Sequence, residues 1–74
     1  MIKELDIVAL TRAVPEYGLQ AGDVGTVVMV YEDGKGFTVE FTTVKGKTIA
    51  IATVEADAIR PVDEHEVSHT RQVA

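Results

Sequence analysis

The sequence predicts an all-β domain, a small barrel of five short strands with one helical turn and a polar extension behind it. Three observations predict it. Every segment up to Thr53 that could be regular is short, β-branched and bounded by Gly, Pro or Asp, which is the signature of strands and turns. No window of about ten residues carries a 3.6-residue apolar period. Finally, Phe37, Val39 and Phe41 alternate with Thr38 and Glu40, as a strand with one buried face does.

Strand one is read as DIVALT, Asp6 to Thr11. The aperiodic stretch RAVPEYGLQAGD follows, and its Pro15, Gly18 and Gly22 mark a long loop. Strand two is GTVVMVYE, Gly25 to Glu32, with Gly25 expected where backbones approach closely. The Asp33-Gly34 pair supplies the positive φ angles of a hairpin turn, and strand three is FTVEF, Phe37 to Phe41. Gly46 marks the next hairpin, in VKGKT, and strand four is TIAIATV, Thr48 to Val54. EADA allows one helical turn before a last strand, IRPV. Pro61 cannot donate to a ladder, so that strand is expected at an edge. Together these elements describe an SH3-like barrel over residues 1–62. The segment DEHEVSHTRQVA, residues 63–74, is polar with only Val67 and Val73 as apolar anchors, and is expected to be a loosely packed extension.

The chain has 74 residues, and one of about this size hides only ~60% of the surface its unfolded form exposes. With no cysteine and no tryptophan, its core must come from Val, Ile, Leu and Ala, without disulfides or thiolate metal sites. MIKELDIVAL does not read as a signal peptide, and no apolar run is long enough to span a bilayer. A soluble cytoplasmic protein is expected. Twelve acids against seven scattered bases give a net charge of −5, which argues against a polyanionic partner such as nucleic acid.

The stretch from Gly22 through Asp23, Gly25, Thr26 and Val27 distantly resembles KOW-type modules of ribosomal and transcription proteins, and small barrels that serve as electron-transport accessory subunits. At closer range, LDIVAL, PEYGLQAGDVGTVVMVYEDG, VEF and IRPV, in this order, resemble a family of short bacterial proteins, common in cyanobacteria and without an assigned function. That resemblance covers roughly residues 1–62. It implies the SH3-like fold, and it suits one half of a two-component module, such as an antitoxin that neutralises a toxin encoded beside it.

The residues that could carry chemistry each have a simpler structural reading. Gly22, Gly25, Gly34 and Gly36 lead into strands, whereas a phosphate cradle needs glycines at a helix start. Glu32 and Asp33 lack the alternate spacing and closing Glu of a calcium loop. HEVSH has the letters of a zinc-protease motif in His65, Glu66 and His69, with Glu66 as the would-be base. It lies too near the end of the sequence for a third ligand and a buried second shell. Ser68 is the only serine, and it has no activating context. No enzyme activity, cofactor or metal is therefore expected.

What remains is surface for binding. Strand two reads as apolar on both faces, Val28 and Val30 opposed to Val27 and Met29. So does strand four, with Ile49 and Ile51 opposed to Ala50, Ala52 and Val54. A strand in a barrel with a single core keeps one wet face, so two apolar faces point to a second buried surface. The expected partner-binding residues are Tyr17, Val28, Met29, Tyr31, Ile49 and Ile51, with the tyrosines as anchors. The occupant would be a second copy or a cognate protein. Two alternatives are an accessory subunit of a redox or metal-containing enzyme, and KOW-like RNA binding if Lys35, Lys45 and Lys47 converge at one end of the barrel.

Overall fold

The computed structural model describes residues 1–43 and 45–62. Five strands, β1 (Ile7–Leu10), β2 (Val24–Tyr31), β3 (Gly36–Thr42), β4 (Thr48–Glu55) and β5 (Ile59–Pro61), form one antiparallel sheet in the order β4-β3-β2-β1-β5. The all-β expectation holds, and so does the edge position of the strand that ends at Pro61. Among the described residues there is no α-helix. A 3-10 turn, Ala56–Ala58, fills the place of the expected helical turn. A second, Pro15–Tyr17, interrupts the long loop that shows no periodicity in the sequence. The expected extension 63–74, with His65 and His69, lies outside the described residues.

The core follows from the alternation. Val8 and Leu10 from β1, Phe37, Val39 and Phe41 from β3, and Ala52 and Val54 from β4 are buried together, joined by Val27, Ile59, Ala58 and Leu19; the two phenylalanines correct the expectation of a core made of Val, Ile, Leu and Ala alone. Leu19 gives the long loop its own anchor, and the loop closes on β1 through Gly22 N–H to Leu10 C=O (2.8 Å) and Leu10 N–H to Asp23 C=O (2.9 Å).

Gly25 pairs with Val8 on one side and Phe41 on the other. A Cβ there would stand 2.6 Å from Val39 Cγ1, 2.8 Å from the Glu40 carbonyl oxygen and 2.9 Å from the Phe41 ring. The residue is glycine because β2 and β3 approach too closely for any side chain.

The expected face assignment of strand two is corrected by a β-bulge. Val27 pairs with Val39, but Met29 pairs with Thr38 and Val30 with Phe37, so the register shifts across Val28. The extra residue reverses the side-chain phase. Val27 and Val30 therefore pack towards the core, whereas Val28, Met29 and Tyr31 are exposed. On β4, Ile51 is exposed as the binding reading requires, but Ile49 is half-buried and packs against the core. A second register shift, at Phe41/Thr42, accompanies that departure from simple alternation.

The β2–β3 turn is left-handed from Glu32 onward. Glu32 (φ 48°), Asp33 (φ 56°) and Gly34 (φ 98°) all have positive φ, and the N–H groups of Gly34 (3.0 Å) and Lys35 (3.1 Å) both donate to the Tyr31 carbonyl. Gly22 and Gly46 also have positive φ, so all four of the expected turn positions outside Gly25 are turns.

Candidate protein interface

Directly opposed residues in a sheet share a face. Two neighbouring rows cross the outer face of the meander. One runs Ile7, Thr26, Glu40, Ile51 from β1 to β4, and the other Met29, Thr38, Thr53 from β2 to β4. The bulged Val28 sits between them, and Tyr31 follows Met29 by two positions. The apolar members are open to solvent: Ile7 46%, Val28 40%, Met29 48%, Tyr31 39% and Ile51 56%.

Three of the polar residues in these rows, Thr38, Thr53 and Glu40, are hydrogen-bonded to neighbours on the face. Thr38 Oγ1 donates to the Tyr31 hydroxyl at 2.9 Å. Its single proton is then used, so Thr53, 3.1 Å away, donates to Thr38. Thr48 Oγ1 donates to the Glu40 carboxylate at 2.9 Å. Groups that already bond neighbours on the face give up fewer water contacts when it is covered, which lowers the desolvation cost of binding.

Of the six expected binding residues, Val28, Met29, Tyr31 and Ile51 come together here. Ile49 is turned partly into the core. Tyr17 is exposed but belongs to the 3-10 turn of the long loop and not to the sheet. Ile7 was not among the expected residues. Its signal was its alternation with the buried Val8, but its place beside β2 depends on the pairing with Thr26.

Among the described residues, grooves also lie elsewhere. One, of about 210 Å³, runs between the long loop and the end of β4, lined by Arg12, Val14, Glu16, Thr53 and Glu55 among others. Arg12 crosses it to Asp57 at 3.0 Å and Glu55 at 4.0 Å. Both are exposed ion pairs of the kind worth roughly 0–1 kcal/mol. The lining has no aromatic residue, unlike grooves that read proline-rich peptides. Another groove, of about 560 Å³, is formed by the first four residues against Val30, Asp33 and Gly34. Beside it, the Lys3 ammonium and the Lys3 backbone N–H both donate to Asp6 at 3.0 Å, and they hold its carboxyl below the ordinary carboxylate pKa.

The three lysines of the RNA-binding alternative do not converge. Lys35 lies in the β2–β3 turn, and Lys45 and Lys47 lie between β3 and β4. Successive turns of a meander are at opposite ends of the shared strand. Among the described residues no group of three or more His, Cys, Asp or Glu could hold a metal ion, and no helix is long and apolar enough to cross a membrane.

The fold and this face define a small all-β domain with one exposed, internally hydrogen-bonded apolar sheet surface. Residues 4–61 match the family described as Domain of unknown function (DUF4926), and the chain belongs to that family. No curated protein and no solved structure matches the chain.

Proposed function

We propose that this chain is a non-enzymatic binding module of SH3-like topology that works by presenting the outer face of β2–β4 to another protein. The strand order β4-β3-β2-β1-β5, with a 3-10 turn leading into β5, supports the topological part. The binding part rests on one observation: Val28, Met29, Tyr31 and Ile51 are exposed together while Thr38, Thr53 and Glu40 beside them are hydrogen-bonded within the face. The partner is a second copy or a cognate protein encoded nearby, and an acidic module neutralising a basic toxin is one form of it, in keeping with the net charge of −5. The resemblance of PEYGL and GDVGTVV to short bacterial proteins supports a bacterial setting, and we place the module in the cytoplasm.

The test is the solution mass of the purified protein by light scattering, alone and after coexpression with the adjacent open reading frame. The reading expects a defined complex in at least one case, weakened by Met29→Lys. A monomer in both cases, or a complex indifferent to Met29→Lys, would reject it.

A further inference from the structure

The outer face carries a charge with no counterpart. Strands β2, β3 and β4 read VGTVVMVY, GFTVEFT and TIAIATVE, without a lysine or arginine in any of them. Their charged residues, Glu40 and Glu55, both belong to the outer face. Glu40 lies between Thr26 and Ile51 in its row, and Glu55 opposes Gly36, which in turn opposes Tyr31.

The two carboxylates differ in their surroundings. Glu55 has the Arg12 guanidinium at 4.0 Å. Glu40 has no ion-pair partner among the described residues. It is half-buried, and its Oε2 accepts the Thr48 hydroxyl at 2.9 Å. That bond steadies the carboxylate without neutralising it. Apolar surface laid over this face would take the charge out of water with nothing opposite, which is the costly way to bury an ion.

We propose that the occupant of this face is a different protein, one that sets a basic side chain against Glu40 within an apolar patch. The inference rests on the protein-binding reading of this face and names what the partner carries there.

Charge complementarity selects this occupant over a second copy. Two copies laid face to face would bring Glu40 and Glu55 of each together, with no base on any of the strands between them. Lys35, Lys45 and Lys47 stand in turns at the strand ends, whereas Glu40 lies inside β3. Arginine suits the position best. Its planar, weakly hydrated guanidinium tolerates apolar neighbours such as Ile51, and its fork of donors fits a carboxylate. The acidic surplus of the whole chain, a net charge of −5, would draw the same partner in from a distance.

Calorimetric titration of the full chain with the product of the adjacent open reading frame, at low and at physiological salt, tests this. Glu40→Gln keeps an acceptor for Thr48 and removes only the charge. It should weaken the complex by about tenfold or more and flatten its salt dependence, which a merely structural role would not do. Glu55→Gln, already beside Arg12, should change the affinity by less than about threefold. Far-UV circular dichroism checks that each variant keeps the fold, and the wild type alone should sediment as a monomer. A complex that Met29→Lys weakens but Glu40→Gln does not would overturn the inference and leave the wider reading standing. So would a wild-type homodimer that Met29→Lys dissociates, since a second copy would then occupy the face. A wild type that neither self-associates nor binds the neighbouring product overturns both.

Discussion

Gly25 lies directly opposite Phe41 in the β2–β3 ladder, and the Phe41 ring, Val39 and the Glu40 carbonyl together occupy the volume a Cβ would need. Gly25→Ala is expected to cost about 1–3 kcal/mol, the range for overpacking a filled core, and Gly25→Val more. Chemical denaturation measures both. An unchanged midpoint for Gly25→Ala would mean that the two strands part freely at this point.

Gly34 requires glycine for a different reason. No atom lies within 4 Å of where its Cβ would stand, but its φ is +98°. Gly34→Ala should lose about 1–2 kcal/mol through backbone conformation alone, and a D-alanine introduced there by synthesis should cost nothing. Glu32 pays the same kind of strain at φ 48°, so Glu32→Asn is expected to raise the melting temperature, since Asn adopts this conformation more readily.

Tyr31 and Thr53 are tied through Thr38 across three strands of the outer face. Tyr31→Phe should reduce stability by about 0.5–1 kcal/mol, the low end for a hydrogen bond because water reaches this face. Association should survive the change, since the apolar ring is kept. Loss of the complex on Tyr31→Phe would show that the hydroxyl itself contacts the partner.

Ile51 faces Glu40 on the neighbouring strand. Ile51→Glu would set two carboxylates against each other and confuse folding with binding. Ile51→Lys avoids this, and should leave the circular dichroism unchanged while weakening association with a second protein. An unfolded Ile51→Lys would place Ile51 in the core.

Asp6 supplies the pH dependence that the described residues predict. Its carboxyl is held below the ordinary pKa first by the Lys3 side-chain bond and then by the Lys3 N–H. A pKa depressed on folding contributes stability that is whole above the unfolded value and is lost as the pH falls through the folded one. The stability gap between the wild type and Asp6→Asn should therefore be constant near neutrality and close on acidification. A gap independent of pH down to the acid transition would refute the assignment.

β3 was fully legible in the sequence because its alternation is clean, and Phe37, Val39 and Phe41 are all buried as their spacing requires. β2 was not. Val27 to Val30 are four consecutive apolar residues, and only the pairing with β3 decides which of them face the core. The bulge falls at a valine, with no glycine or proline to announce it. Turn chemistry located Asp33 and Gly34 but not the earlier reversal at Glu32, a residue that rarely adopts positive φ. The contact of Arg12 with Glu55 and Asp57 joins residues more than forty positions apart, which no local pattern can display. The exposed set Val28, Met29, Tyr31 and Ile51 was legible as apolar surplus. Its membership was settled by the bulge that brought Met29 outward and the register shift beside which Ile49 packs inward.

The bulge also makes Val28 an unusual place for this chain to change length. Losing one residue from the middle of a strand ordinarily forces everything beyond it onto the wrong side of the sheet. Val28 is the residue without a counterpart on β3: Val27 meets Val39 and Met29 meets Thr38, which are themselves consecutive. Excising Val28 would leave every other partnership between β2 and β3 as it is and convert the irregular ladder into a regular one. A chain one residue shorter at this point can therefore keep the same five-stranded sheet, and its outer surface would differ by a single missing aliphatic side chain.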